Sequence, residues 1–166
     1  MNTRIDHLVV TCASLADGAR WLEQRLGVAP GPGGAHPAMG THNRLLRLGD
    51  ALYLEVIAID PAAPAPPHPR WFGLDGLAAG APPRLAGWVA RTGDIARALA
   101  ATPAGLLGRP RPMSRGDLQW LIAGPDDGSL PLGGAGPGLI EWRVPAHPAL
   151  AMPQQGCRLE SLTLLH

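Results

Sequence analysis

No stretch of this chain approaches the ~20 consecutive apolar residues that a membrane-spanning helix requires, and it has no Lys- or Arg-rich run. The formal net charge of +1 gives no electrostatic footprint for nucleic acid, so neither membrane nor nucleic acid is an expected partner. The opening residues, Met1-Asn2-Thr3-Arg4-Ile5-Asp6, hold no apolar signal core ahead of their charges, and the expected address is the cytoplasm. Cysteine is scarce: Cys12 and Cys157 stand far apart and form no CxxC pair, which favours buried free thiols over a disulfide. Nucleotide signatures are missing, because the glycines at 31, 33, 34, 133, 134, 136 and 138 lie in Pro-interrupted loops with no GxGxxG or GKS/T pattern. There is no GxSxG elbow, and neither cysteine has an arguable histidine partner for a dyad.

What is present suits a compact protein. With 46% hydrophobic residues, the 166-residue chain has enough for one domain, or for two small modules sharing a core. The 22 glycines and 19 prolines make any single turn signal less diagnostic.

The chain restarts itself. Arg4 to Thr11 reads as a strand with His7 inside an apolar run, and a related pattern returns at Arg84 to Arg91 and again from Arg158. After the first strand, Ser14 offers a helix cap, Leu15, Ala19, Leu22 and Leu26 recur at helical spacing, and Gly27 ends the helix. Val28 to Ala38 is a loop or irregular edge strand. Thr41 to Leu48 and Ala51 to Asp60 are strands turned at Gly49-Asp50. Residues 61 to 83 hold seven prolines, so no regular element runs through them, although Trp71-Phe72 predicts that part of this segment packs down.

Matching Arg4 to Arg84 places Ser14 opposite Asp94 and Leu15 opposite Ile95, so the second strand is again followed by a capped helix, Asp94 to about Thr102. Leu106 to Met113 takes the weak-strand position, then Leu118 to Ala123 and Leu139 to Val144. The closing strand carries Glu141 where the first unit's carries Glu55. The expected organisation is a module over 1–60, a Pro-rich linker over 61–83, a second module over 84–144 and an extension over 149–166. In that extension Cys157 to His166 reads as a strand that begins a further module.

Paired βαβββ units with His on the first strand and Glu on the last resemble the vicinal-oxygen-chelate superfamily, which includes glyoxalase I, extradiol dioxygenases and the fosfomycin- and bleomycin-resistance proteins. Ile5-Asp6-His7-Leu8-Val9-Val10, the run from Gly40 to Gly49, and Tyr53-Leu54-Glu55-Val56-Ile57 look like its glyoxalase-like branch. So does Leu139-Ile140-Glu141-Trp142 with His147-Pro148 behind it. The likeness spans roughly residues 4 to 148. It implies an α+β fold in which two βαβββ modules pair into a half-barrel cleft, and it carries an expectation of homodimers.

By the same resemblance, the first and last strands of each module point ligands at a shared divalent ion, and the matching positions are His7, Glu55, Gly87 and Glu141. Gly87 cannot ligate, which leaves His7, Glu55 and Glu141 to hold Zn, Mn, Fe, Ni or Mg. Glu55 and Glu141 are the candidate catalytic acids, either of which can leave the metal and act as a base. For His7 the competing reading is a hydrogen-bonded core histidine; for Glu141 it is an ion pair with Arg143 on the same strand face. His42, Asn43 and Arg44 form the most polar piece of their strand and, with Trp142, are the candidate substrate contacts. Trp88, Trp120 and Trp142 read first as core and second as the indole lining of a cleft.

Two functions from different classes stand. One is a metal-assisted enzyme of lyase, isomerase or dioxygenase type, acting on a small molecule with vicinal oxygens. The other is a metal-free binding protein that sequesters a small molecule in the same cleft.

Overall fold

The computed structural model describes residues 3–165. The first module runs β1 (Arg4–Thr11), α1 (Leu15–Leu26), β2 (Gly31–His36), β3 (Thr41–Gly49) and β4 (Leu52–Ile59). The second runs β5 (Arg84–Arg91), α2 (Ile95–Ala100), β6 (Arg111–Arg115), β7 (Leu118–Ala123) and β8 (Gly138–Trp142). Two βαβββ units are therefore present. Their strands form one mixed eight-stranded sheet in the order β2-β3-β4-β1-β5-β8-β7-β6, with β1 and β5 antiparallel at its centre. The sheet curls until its edge strands β2 and β6 meet, an α+β half-barrel of the expected kind.

Local chemistry sets these elements. Ser14 caps α1 by accepting from the Asp17 N–H, and Gly27 closes it in the left-handed region at φ 71°, where a side chain is disfavoured. Gly18 lets α1 lie close on the sheet, since a Cβ there would sit 2.5 Å from Cys12 Sγ. Asp94 caps α2 by accepting from the Arg97 N–H. The convex face of the sheet packs on the helices, with Leu8, Val10, Leu46, Leu54 and Val56 under α1 and Ala90 and Leu139 under α2. Each such buried aliphatic side chain is worth about 1.5–3 kcal/mol. The concave face carries His7, Val9, Asn43, Glu55, Val89, Ile140 and Trp142.

Both central strands break their alternation once. In the β1–β5 ladder Ile5 pairs Ala90 but His7 pairs Val89, which leaves Asp6 as an extra residue. Val9 pairs Gly87 but Val10 pairs Leu85, which leaves Ala86 as the second. The offset that relates Arg4 to Arg84 also relates Asp6 to Ala86, so the duplication extends to a bulge in each module. A bulge re-aims side chains, and here it turns Ile5 to the α1 side and Asp6 toward the concave side.

Two elements differ from expectation. The second strand of module two, β6, begins at Arg111, because Leu106 to Pro110 spends its backbone in turns. Cys157 to Leu165 joins no ladder; Cys157, Leu159 and Leu162 instead pack as an irregular segment on the α1-side core, and His166 lies outside the described residues. Cys157 is only half-buried, whereas burial pushes the Cys12 thiol up to about 11 and leaves it a poor nucleophile. In the Pro-rich segment Trp71–Gly76 does pack down, with Phe72 at φ 58° in the left-handed region. No helix among the described residues is long and apolar enough to cross a membrane.

Candidate active site

The concave face of module one holds a buried chain of hydrogen bonds. Ala149 N–H donates to His147 Nδ1 at 3.2 Å, which assigns the His147 proton to Nε2, and Nε2–H donates to Asp6 Oδ2 at 2.9 Å. Trp142 Nε1–H donates to the same oxygen at 2.9 Å. The other oxygen, Oδ1, accepts from His7 Nδ1 at 2.7 Å. Asp6 has no solvent exposure. Burial alone would raise its pKa, but the hydrogen bonds from His147 and His7 hold it well below the usual carboxylate range.

This arrangement settles the tautomer of His7. With Nδ1–H committed to Asp6, Nε2 faces the cavity, 3.6 Å from Glu55 Oε2. The imidazole stacks on Tyr53 at 4.6 Å between centroids. The second Glu55 oxygen accepts from Asn43 Nδ2 at 2.5 Å, and Asn43 Oδ1 accepts from Gly34 N–H and from Arg115 Nη1. One asparagine thus fixes the acid of module one against a cation from the far edge of module two.

His36 completes the wall. Its Nδ1 lies 3.1 Å from Thr41 Oγ1, while Nε2 meets two donors, Asn43 Nδ2 at 3.5 Å and Arg115 Nη1 at 3.4 Å. A nitrogen facing two donors must accept, so the ring is neutral. Burial is the main cause of its pKa falling to about 4; Arg115 pushes the same way and Glu55 opposes. The cavity lies between His7, His36, Asn43, Glu55, Arg115 and Trp142 and, with its open mouth included, encloses about 440 Å³. A second, mainly apolar cavity of about 610 Å³, counted the same way, lies in module two, and Trp71 and Phe72 stand between the two.

Of the candidates from sequence, His7, Glu55, Asn43 and Trp142 come together here. Glu141, His42 and Arg44 do not. Glu141 lies on the opposite face of β8, where Oε2 accepts from Ile95 N–H at the start of α2 and Oε1 pairs with Arg143 at 3.1 Å. The ladders give the reason. Val9 sits opposite Glu55 in the β1–β4 pair, and Val89 sits opposite Gly138 in the β5–β8 pair, so Gly138 is the positional counterpart of Glu55. On β3 alternation sends Asn43 inward and its neighbours outward. His42 lies near Asp60 at 4.0 Å and Arg44 is exposed. Asp6, His36, Arg115, Trp71 and His147 join the site without having been named as site residues. The signals that pointed toward them were the Asp6-His7 pair inside an apolar strand, Trp71-Phe72 in the Pro-rich segment and His147-Pro148 behind the last strand.

The family resemblance implies a divalent ion, and these residues do not fit one. Module one offers His7 Nε2 and Glu55 Oε2. The module-two counterparts are both glycines, Gly87 and Gly138, and both line the apolar cavity instead. The place of a ligand on β5 is filled by the loop before β8: a Cβ on Gly87 would meet Leu130 at 3.2 Å, and one on Gly134 would stand 2.2 Å from the Ala86 carbonyl. Among the described residues no three His, Cys, Asp or Glu side chains gather closely enough to hold an ion. The cation in this cavity is the Arg115 guanidinium.

Comparison with known proteins agrees with this architecture. The chain has the fold of methylmalonyl-CoA epimerase in complex with methylmalonyl-CoA, at a TM-score of 0.58 and 18% identity over 88% of this chain and 99% of the other. A variant of Streptomyces coelicolor methylmalonyl-CoA epimerase in complex with 2-nitronate-propionyl-CoA gives 0.56 and 17% over 84% and 95%. A hypothetical protein from Bacillus halodurans gives 0.54 and 14% over 86% and 94%. No curated protein sequence matches. At these identities the likeness carries the fold alone. The model of the glyoxalase-like domain matches residues 5–166, and the chain therefore belongs to the glyoxalase-like domain family.

Proposed function

We propose that the chain is an isomerase-type enzyme that moves a proton at a carbon next to a carbonyl in a small oxygenated molecule. The observation that carries this reading is His7, held at Nδ1 by a buried carboxylate, with Nε2 free in the cavity beside Glu55. In the first step Nε2 takes the proton from carbon. The C–H electron pair becomes the new C=C bond, and the carbonyl π pair moves onto oxygen to give an enolate. The imidazolium formed is stabilised by Asp6, whose low pKa keeps it a carboxylate throughout. Return of a proton from Nε2 to the same carbon exchanges that centre with solvent. Return to the neighbouring carbon of a 2-hydroxy carbonyl isomerises it, with Glu55 carrying the hydroxyl proton between the two oxygens. No step is routed through a metal, because the donor set does not fit one.

The test is deuterium exchange in D2O followed by proton NMR, on hydroxyacetone, dihydroxyacetone and phenylpyruvate. Exchange above the buffer rate with wild type, lost in His7→Ala, is the expected result. A second reading is sequestration, favoured by the mainly apolar cavity beyond Trp71 and Phe72. Binding of these compounds with no exchange above buffer would replace the first reading with that one.

A further inference from the structure

Arg115 is out of place for an ordinary edge-strand arginine. It belongs to β6, the last strand of the sheet, yet its guanidinium reaches across to Asn43 and His36 of module one and lines the cavity that holds His7 and Glu55. None of the ion pairs among the described residues involves it, so no carboxylate neutralises it. Both hydrogen bonds of this half-buried guanidinium, to Asn43 Oδ1 and His36 Nε2, come from Nη1, which leaves the donors on Nε and Nη2 open. In the same wall, Trp71 Nε1–H is buried with no partner. Both side chains border the same histidine: the Trp71 ring stands edge-on to His36 at 5.2 Å and Arg115 Nη1 lies 3.4 Å from its Nε2.

The chain also makes room for this cation. A Cβ on Gly34 would stand 2.6 Å from Arg115 Cδ, and one on Gly33 would stand 2.2 Å from Asn43 Oδ1. The Gly33-Gly34 pair therefore lets β2 close over the two side chains, and the Gly34 N–H itself fixes the asparagine. Neutral His36 adds an acceptor on one side and no competing positive charge.

We infer that Arg115, with the Trp71 N–H, is an anion-binding site for a carboxylate adjacent to the substrate's carbonyl. The ligand class is a 2-oxo acid bearing an apolar substituent. The guanidinium takes the carboxylate in the two-bond geometry that arginine favours. The adjoining ketone then lies toward His7 and Glu55, and the substituent faces Trp71, Phe72 and Ile122, which line both cavities. This assignment rests on the proton-transfer reading for its orientation, but its binding step does not depend on His7.

The experiment compares phenylpyruvate with its methyl ester by calorimetric titration in buffer containing EDTA. Wild type is expected to bind the acid at least about tenfold more tightly than the ester. Arg115→Leu is expected to remove that preference, and Arg115→Lys to keep part of it. Gly34→Ala displaces only a flexible side chain, so it is expected to fold and to lose the preference as Arg115→Leu does; it serves where that variant does not fold. His7→Gln is expected to keep the preference while losing deuterium exchange. Equal binding of acid and ester by wild type, absence of acid binding, or a preference surviving Arg115→Leu overturns the assignment. Loss of acid binding in EDTA that a divalent ion restores also overturns it. A retained preference without exchange in wild type would instead leave the anion site standing and remove the proton-transfer reading.

Discussion

Two buried residues on the concave face have pKa values held below their ordinary ones, and each leaves its mark on stability in a separate pH range. His36 has a folded pKa near 4 against an ordinary 6.5, so the unfolded chain binds its proton first as pH falls. Its contribution is intact above about pH 6.5 and declines by up to about 3 kcal/mol as pH drops to 4. Asp6 is depressed below its ordinary 3.8, so its contribution is intact above about pH 4 and is lost only below it. Chemical denaturation across pH 4 to 7 is expected to show the upper decline in wild type and a flatter profile in His36→Gln. A wild-type profile that is flat between 6.5 and 4 would mean that His36 is charged or solvated. Asp6→Asn tests the other partner. The amide leaves His7 free to take either tautomer, and deuterium exchange is expected to fall by about 10²–10⁴-fold, measured alongside circular dichroism to confirm folding. That Asp6 belongs to this site was not legible in the sequence, because strict alternation sends it to the helix side. Only the bulge, a property of the β1–β5 pairing, brings it round to His7.

At the scale of elements, β8 and the loop before it explain why the second module carries no ligand. Sequence order aligned the closing acids of the two modules, and that much was sound as topology. Residue parity was not recoverable, because the ladder offset between β5 and β8 is fixed by the turn from Pro131 to Gly138 rather than by the strand residues. Glu141 therefore serves α2. Glu141→Ala is expected to cost about 1–2 kcal/mol of stability through the lost N-terminal hydrogen bond, with exchange unchanged. The pair with Arg143, whose side chain is 53% exposed, adds little to that figure. A collapse of exchange in folded Glu141→Ala would return the acid to the active site. The neighbouring loop predicts a larger effect. Gly134 sits at φ 104° with the Ala86 carbonyl where its Cβ would go, so Gly134→Ala is expected to lower the unfolding midpoint well beyond Gly87→Ala, whose only close neighbour is the flexible end of Leu130.

Across the whole molecule the last stretch of chain ties the two faces of the sheet together. His147 donates to Asp6, Pro148 and Met152 line the polar cavity, and Ala149 packs fully buried among Leu45 and Tyr53. Arg47 donates to the Met152 carbonyl at 3.1 Å. Beyond that point Cys157, Leu159 and Leu162 pass to the α1 side and cover its core. The first half of the segment is thus part of the site and the second half is part of the scaffold, which two deletions separate. Removing 153–166 uncovers apolar surface on the α1 side, so the unfolding midpoint is expected to fall while exchange at saturating substrate is largely kept. Removing 145–166 also strips Asp6 of its His147 partner and opens the floor of the cavity, so exchange is expected to fall to near the buffer rate. His147→Ala in the full chain isolates the hydrogen bond from the truncation and is expected to lie between the two. If the shorter deletion alone abolished exchange in a folded protein, the α1-side segment would have to act on the site from the far side of the sheet. The contacts through Leu46, Leu54 and Val56 that carry the helix face offer no route for that other than a change in the curvature of the sheet.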